Sequence, residues 1–143
     1  MKKYLILFSL ILNTLAVNSQ SVDIEGIWKN FDDEDGKEKS HIEITKINGN
    51  YFAKVIKLLP DAKLTHCHKC KGELKGKKIE GLEIFKNLEK TGKNTWGGGK
   101  ILNPKNGKEY SCKLELEDSN TLKVRGYIGS PAFGKTQIWL RLK

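Results

Sequence analysis

The densest group of chemically reactive side chains is His66-Cys67-His68-Lys69-Cys70, where two thiols and two imidazoles share one short segment. A structural zinc site needs four ligands in a tetrahedron, and a single Cys-x-x-Cys pair supplies two of them. A metal site here would therefore need His66 or His68 as further ligands. Because oxidising compartments favour disulfides, the pair predicts a local Cys67–Cys70 disulfide. A metal site and free or redox-active thiols stay as alternatives.

Cys112 is the third cysteine of the chain. Strand alternation puts it on the same face as Leu114, and a thiol in such a position behaves as a small apolar group. The sequence therefore predicts a buried, inert thiol, while a pairing of Cys112 with Cys67 or Cys70 stays open.

The sequence lacks the common motifs of catalysis and cofactor binding. It has no Gly-x-Ser-x-Gly nucleophile elbow, and the glycines 97–99 with Lys100 lack the spacing and the Ser or Thr of a phosphate-binding loop. The acidic run 32–35 lacks the alternating ligands and distal Glu of an EF-hand, so we interpret it as a hairpin tip. The sequence favours a non-enzymatic protein without a cofactor, with a hydrolase or a thiol redox protein as the alternative.

Two motifs at the ends of the domain could close a barrel. Gly26-Ile27-Trp28 opens the first predicted strand, and Arg141 ends the last. In a closed barrel these two strands are neighbours, so the guanidinium of Arg141 could lie over the indole of Trp28 in a cation–π contact. Gly26, Trp28 and Arg141 are therefore predicted to form a structural clasp.

Most of the chain follows the period-two alternation of half-buried β-strands. Turn sequences such as Asn48-Gly49 separate the segments, and this pair is typical of tight hairpins. The eight predicted strands cover residues 26–31, 40–46, 51–59, 82–90, 96–102, 110–117, 122–125 and 136–142. For residues 82–90 a short helix is the alternative. Many short antiparallel strands joined by tight turns predict an all-β fold, either a sandwich or a closed eight-stranded antiparallel up-and-down barrel, and we favour the barrel because closure removes exposed sheet edges.

Two segments depart from this pattern. Residues 60–81 hold the Cys/His cluster and many lysines but few apolar side chains, which predicts a long loop or lid. The glycines 97–99 interrupt the fifth strand, and this predicts a bulge, a sharp corner or a close backbone approach.

The first residues have the order of a cleavable export signal. Lys2 and Lys3 precede the apolar run 4–12, and small residues follow at 16–19. The run is too short for a transmembrane helix, which needs about 20 apolar residues. We therefore predict a signal peptide at residues 1–19 and a single domain at residues 20–143, exported to the periplasm or secreted and without a membrane span after cleavage.

The chain is basic, with 26 Lys+Arg against 17 Asp+Glu and a formal charge of +9. Only Arg125 and Arg141 are arginines, whereas nucleic-acid readers favour arginine for bidentate contacts. Scattered lysines are typical of a solvated sheet surface. The composition thus predicts no nucleic-acid partner, and we expect a monomer.

Several motifs support a resemblance that covers nearly all of the domain. They are Gly26-Ile27-Trp28, Cys67-His68-Lys69-Cys70, Gly81-Leu82-Glu83-Ile84, Trp96-Gly97-Gly98-Gly99-Lys100-Ile101, Asn103-Pro104-Lys105-Asn106-Gly107, Val124-Arg125-Gly126-Tyr127-Ile128-Gly129 and Phe133-Gly134-Lys135-Thr136-Gln137. In order and spacing the chain resembles the bacterial domain-of-unknown-function family 2147. The first motif also resembles the Gly-x-Trp of lipocalins and related calycin barrels, whose Trp is covered by a basic residue from the last strand.

The resemblance implies an exported barrel and no established activity. The family usually has Asp where this chain has Asn103, so no carboxylate chemistry is implied at that turn. We expect a barrel that binds a small apolar or amphipathic ligand of the cell envelope, with Arg125, Tyr127 and Trp96 as candidate ligand-binding residues. A module that binds an envelope partner through its basic face is the alternative.

Overall fold

A computed structural model describes residues 22–143 of the protein. The predicted signal peptide at residues 1–19 and its cleavage site lie outside the described residues. Within residues 22–143, no helix is long and apolar enough to cross a membrane.

Eight antiparallel strands follow one another around a closed barrel, each paired with its neighbours in sequence order. The prediction of an eight-stranded up-and-down barrel is confirmed. The strands are β1 (Gly26–Phe31), β2 (Glu38–Ile47), β3 (Asn50–Leu58), β4 (Glu83–Lys90), β5 (Thr95–Asn103), β6 (Lys108–Asp118), β7 (Thr121–Tyr127) and β8 (Gly134–Arg141).

The two ends of the barrel differ because alternate connections of an up-and-down barrel lie at the same end. The β1–β2, β3–β4, β5–β6 and β7–β8 connections surround one end, which we call the open end. The opposite end is filled with large side chains and is called the closed end. Its fully buried residues include Trp28, Tyr51, Leu88, Trp96, Leu114 and Leu122. The apolar core is therefore concentrated in the half of the barrel where the two chain ends of the domain meet.

The glycine run in β5 coincides with a break in strand register. The pairing of β5 with β6 shifts between Trp96 and Gly99, and Gly98 adopts a φ of +81° that disfavours other residues. The predicted irregularity of this strand is confirmed. A side chain at Gly99 would also approach the carbonyl of Lys86 to 3.0 Å, so the bend brings β4 and β5 close together.

The long β3–β4 connection is ordered and carries a small core of its own. It contains a short 3₁₀ turn at Gly72–Leu74, and its backbone forms an isolated bridge between His66 and Lys78. The disulfide half-cystines Cys67 and Cys70 are buried. They cluster with Leu82 and Leu102, apart from the barrel core, and Leu74 packs on this group.

The β5–β6 turn supports this loop through Gly107. A Cβ atom there would overlap the Lys69 carbonyl group and come within 2.8 Å of the Cys70 backbone nitrogen. Only glycine permits so close an approach of two backbones. The loop is thus packed against the rim of the barrel and is more than a solvated lid.

The closure between β1 and β8 is short. The two strands pair at Trp28 with Arg141 and at Lys29 with Leu140, whereas β7 and β8 pair along their whole length from Thr121 to Tyr127. Toward the open end, a side-chain hydrogen bond between Asn30 of β1 and Gln137 of β8 joins the two strands in place of backbone pairing. We call this junction the seam.

Candidate functional site

A cavity of about 850 Å³ enters the barrel from the open end. This volume lies within the range of roughly 300–1,000 Å³ that is common for small-molecule sites. Much of its wall is apolar, with side chains from six strands and the β3–β4 connection. These are Ile42, Val55, Ile79, Ile84, Ile101, Val124 and Trp139. The cavity can therefore remove an apolar molecule of moderate size from water.

One side of the cavity carries a neutral polar network that crosses the seam. The Gln137 side-chain oxygen accepts hydrogen bonds from Asn30 Nδ2 and from Trp139 Nε1, both at 3.2 Å. The Ser40 hydroxyl donates to Asn30 Oδ1 at 3.3 Å. Gln137 Nε2 in turn donates to the Asp33 carboxylate at 3.1 Å. Asn30 and Ser40 are buried, and burial of such groups costs little because they satisfy one another.

Tyr110 adds a hydroxyl group to the cavity wall, and Tyr127 borders the cavity on β7. The Tyr110 hydroxyl accepts a hydrogen bond from Asn106 Nδ2 at 2.8 Å, which leaves its own proton free to be donated. The Tyr110 hydroxyl can therefore donate a hydrogen bond to a bound molecule.

The acidic β1–β2 turn reaches across the open end. Lys63 of the β3–β4 connection lies 3.4 Å from carboxylate oxygens of Asp32, Glu34 and Asp35. Glu34 also pairs with Lys105 of the β5–β6 turn. Since β1 and β5 lie on opposite sides of an eight-stranded barrel, the contact between Glu34 and Lys105 spans the mouth. We call these five residues the rim latch.

The rim latch alters the titration of its carboxylates. A hydrogen bond from the backbone N–H of Glu34 is the main cause that lowers the pKa of Asp32 to about 2. The pKa of Glu34 is lowered chiefly by the hydrogen bond from Lys105. Both side chains stay ionised at neutral pH, so the latch persists there as a set of charge pairs.

The three residues predicted to bind a ligand are not brought together. Tyr127 lines the cavity. Arg125 points to the outer face, where it donates to the Pro131 carbonyl at 2.6 Å and to the Thr136 hydroxyl at 2.8 Å. Trp96 is fully buried at the closed end, edge-on to Tyr51 at 6.0 Å between ring centroids. Arg125 and Trp96 thus lie outside the wall of the cavity.

The predicted clasp residues meet at the closed end. The Arg141 guanidinium lies 4.3 Å from the Trp28 ring centroid. It also donates to the carbonyl oxygens of Asp23, Glu25 and Ser119 at 2.7–2.8 Å. A Cβ at position 26 would come within 2.9 Å of the guanidinium, and Gly26 has a φ of +132°. Glycine at this position therefore leaves room for the guanidinium.

The Cys/His segment contains a disulfide. Cys67 and Cys70 are bonded, with Cα atoms 5.3 Å apart, so their thiolates are not available as metal ligands. The His66 and His68 rings stack on each other at 5.8 Å. Among residues 22–143, no group of three or more His, Cys, Asp or Glu side chains is arranged to hold a metal ion.

Cys112 is a free and buried thiol. Desolvation raises the pKa of Cys112 to about 12, and its sulfur lies 3.7 Å from the Gly99 carbonyl oxygen. A thiol that stays protonated is a poor nucleophile.

Sequence reasoning missed the polar network, although its pattern is present in the sequence. Asn30 stands two residues after Trp28, and Gln137 stands two residues before Trp139. Because side chains alternate between the faces of a strand, each polar residue shares the inward face of its tryptophan. Polar residues at core positions of a barrel indicate a lined cavity.

The comparisons with known proteins agree with the fold. The model of a family described as "Uncharacterized protein conserved in bacteria (DUF2147)" matches residues 26–141. A solved structure titled "Protein HP1028 from the human pathogen Helicobacter pylori belongs to the lipocalin family" is 25% identical. It has a TM-score of 0.75, with 85% of this chain and 84% of that chain covered.

A second solved structure is a redesigned β-barrel, b11L5F_LGL, at 16% identity and a TM-score of 0.47, with 83% of this chain and 90% of that chain covered. No curated protein sequence matches the chain.

Proposed function

The chain belongs to the DUF2147 family of uncharacterized bacterial proteins, and from this premise we propose that its lipocalin-like barrel binds a small apolar or amphipathic ligand. The observation that carries the proposal is the cavity of about 850 Å³ with its largely apolar wall. Its position at the mouth of a β-barrel is a common place for a ligand site. The neutral polar network would orient a bound molecule, while the apolar wall would supply most of the binding free energy.

A neutral, environment-sensitive fluorophore such as N-phenyl-1-naphthylamine tests this proposal. We expect its emission to rise on addition of the protein and to saturate at one probe per barrel. Val55→Phe would place extra volume in the cavity, because Val55 lines it, and should weaken probe binding at least about tenfold through overlap. Ile56→Phe is the matched control, since Ile56 is the next residue on the same strand and is exposed.

The proposal fails if the probe does not bind, or if the two variants weaken binding equally. A protein that binds no probe would favour the alternative of a partner-binding module. Native mass spectrometry of protein purified from its own cells adds an independent readout, because a retained ligand appears as added mass.

We also propose that the protein acts outside the cytoplasm, in the periplasm or as a secreted protein. Two observations support this. Lys2, Lys3 and the following apolar run have the order of an export signal, and a Cys67–Cys70 disulfide is typical of an oxidising compartment. Cell fractionation followed by intact-mass measurement should find a chain that begins at Gln20. A full-length chain confined to the cytoplasm would contradict this.

A further inference from the structure

We propose that the cavity takes a single-chain amphiphile with an anionic head group, which lies at the mouth against Lys39, Lys69 and Lys135 while its chain enters the barrel. This inference rests on the proposed function, because it names the chemical class of the ligand for the same cavity. It follows from the charges at the mouth, the chemistry of the interior and the hydrogen-bond donors between them.

The mouth of the cavity carries more positive than negative charge. The charged residues that line the cavity are five lysines and three acids, namely Lys39, Lys63, Lys69, Lys105, Lys135, Asp32, Asp33 and Glu34. Lys63 and Lys105 are engaged by the acids of the rim latch. Within residues 22–143, Lys39, Lys69 and Lys135 have no ion-pair partner. Their side chains come from β2, the β3–β4 connection and β8, so they approach the mouth from separate elements.

Asp33 is the one acid of the cavity lining that no lysine of the described chain neutralises. Its carboxylate accepts hydrogen bonds from Gln137 Nε2 and lies on the seam side of the mouth. The rim latch holds three carboxylates against two lysines, so with Asp33 and the three unpaired lysines the mouth has five lysines against four carboxylates. An anionic head group is attracted to the mouth as a whole by this net positive charge.

The interior of the cavity excludes a charged group. Its polar groups are neutral amides, a hydroxyl and an indole N–H, and Asn30, Ser40 and Gln137 use their hydrogen bonds on one another and on Trp139. Moving a carboxylate among them would remove its hydration without a compensating charge, which is strongly unfavourable. The orientation is therefore fixed, with the apolar chain inward and the charged head at the solvent-facing mouth.

The Tyr110 hydroxyl favours a hydrogen-bond acceptor at this boundary. Tyr110 lines the cavity and has a hydroxyl proton left to donate after accepting from Asn106. An anionic oxygen accepts such bonds more strongly than a neutral one.

Three amphiphiles with one chain length and different heads test the inference. Dodecanoate, dodecanol and dodecyltrimethylammonium are titrated against the bound neutral fluorophore at neutral pH and low salt, below their micelle concentrations. We expect dodecanoate to displace the fluorophore at a concentration about tenfold or more below that of dodecanol. The cationic amphiphile should be the weakest of the three. This comparison uses the unmodified protein, so it does not depend on the folding of a variant.

A pair of charge-matched variants locates the effect. Replacing Lys39, Lys69 and Lys135 together by Gln should bring the affinity for dodecanoate down to that for dodecanol and leave dodecanol binding unchanged. The control replaces three lysines of the outer barrel surface, Lys54, Lys86 and Lys113, by Gln. It removes the same net charge, and we expect it to keep most of the preference for dodecanoate.

The outcomes separate the two proposals. If the fluorophore does not bind, the proposed function fails together with the inference. If it binds but dodecanoate does not displace it, the inference of an anionic amphiphile is refuted while the cavity still binds a ligand. If dodecanol binds as tightly as dodecanoate, the cavity binds ligands but the anionic head group is refuted. Equal losses in the two triple variants would also refute it, because the preference would then come from net charge and not from the mouth.

Discussion

Arg141 joins three segments of the chain at the closed end. Its guanidinium covers Trp28 and donates to carbonyl oxygens before β1 and in the β6–β7 turn. We expect Arg141→Ala to lower the free energy of unfolding by about 2–3 kcal/mol, because charge-assisted hydrogen bonds and a cation–π contact are lost together. Urea denaturation measures this. Arg125→Ala, which removes the only other arginine of the chain, should lower the free energy of unfolding clearly less. An equal loss of stability in the two variants would argue against the clasp.

The Cys112 thiol should be unreactive toward thiol reagents in the folded protein. Its burial and a pKa raised to about 12 keep the thiol protonated at every pH at which thiol reagents are normally used. We expect dithionitrobenzoate to find no reactive thiol in the native, oxidised protein and one thiol per chain after denaturation without reductant. A rapid native reaction, or three thiols on denaturation, would contradict the assignment.

The site residues show how far single positions could be predicted. Arg125 was a candidate ligand-binding residue, but its alternation with Lys123 already places it outward, where it donates to the Pro131 carbonyl in the β7–β8 loop. Trp96 follows a turn directly, and it therefore lies at the closed end. Asn30 and Gln137 were predictable from their spacing to tryptophans, but their mutual contact across the seam was not, since it depends on how β1 and β8 splay.

The pKa values of two carboxylates in the β1–β2 turn should respond differently to the loss of one lysine of the rim latch. Lys105→Gln should raise the pKa of Glu34 toward its ordinary value of 4.5, because Lys105 is the main cause of its depression. The pKa of Asp32 should change little, since a backbone N–H within the turn is the main cause there. Carbon-detected NMR titration of the two carboxylates measures both. An equal shift of the two groups would mean that the turn as a whole had moved.

The sign of the pH dependence follows from these depressed values. The latch contributes fully above the unfolded-state pKa of its carboxylates, and this contribution is lost as the pH falls through the lower folded-state values. The latch of the folded protein should therefore open in acid, and in strong base only when the pH passes the raised pKa values of Lys63 and Lys105. Salt should also weaken it, because its members are exposed.

The β3–β4 connection should loosen as a unit when its disulfide is removed. Cys67→Ser with Cys70→Ser should lower the free energy of unfolding by roughly 2 kcal/mol on the chain-entropy model. The barrel should keep its far-UV circular dichroism, because the disulfide cluster is separate from the main core. Hydrogen exchange should rise within residues 59–82 and stay unchanged in β6 and β7. Exchange that rises throughout the barrel would show that the two cores are one cooperative unit.

The elements themselves were largely predictable from alternation. β6 has a clear inside and outside, with Cys112, Leu114 and Leu116 buried, and its prediction needed nothing else. The β3–β4 connection was predicted only as a loop. Its burial of Cys67 and Cys70 was not, because that depends on the contact with Gly107, which lies far along the chain and leaves no periodic pattern.

At the scale of the whole molecule, the seam should be the most exchange-labile part of the sheet. β8 pairs with β7 along its length, but with β1 only near the closed end. We expect the peptide 134–138 to exchange amide hydrogens faster than the peptide 122–126 of β7, which is paired on both sides. Hydrogen exchange with mass spectrometry measures this. Equal protection of the two peptides would contradict an open seam.

The fold as a whole was predictable because closure and alternation reinforce each other. Eight strands with one polar face have exposed edges unless the sheet closes, and the pairing of Trp28 with Arg141 provides the closing contact. The cavity was harder to predict. Its volume depends on how far the side chains of the closed end fill the barrel, and this is a property of packing that no single stretch of sequence carries.

The seam also has a consequence for how the protein is made. Arg141 bonds to a carbonyl group 116 residues earlier in the chain, so β1 leaves the ribosome long before its partner strand has been translated. Until β8 emerges, the nascent chain is an open sheet with an unpaired strand at each border, the arrangement most prone to aggregation. Any step of synthesis or export that holds back residues 134–141 therefore keeps the chain in this open, aggregation-prone form, and the sheet closes when β8 becomes available to β1 and β7.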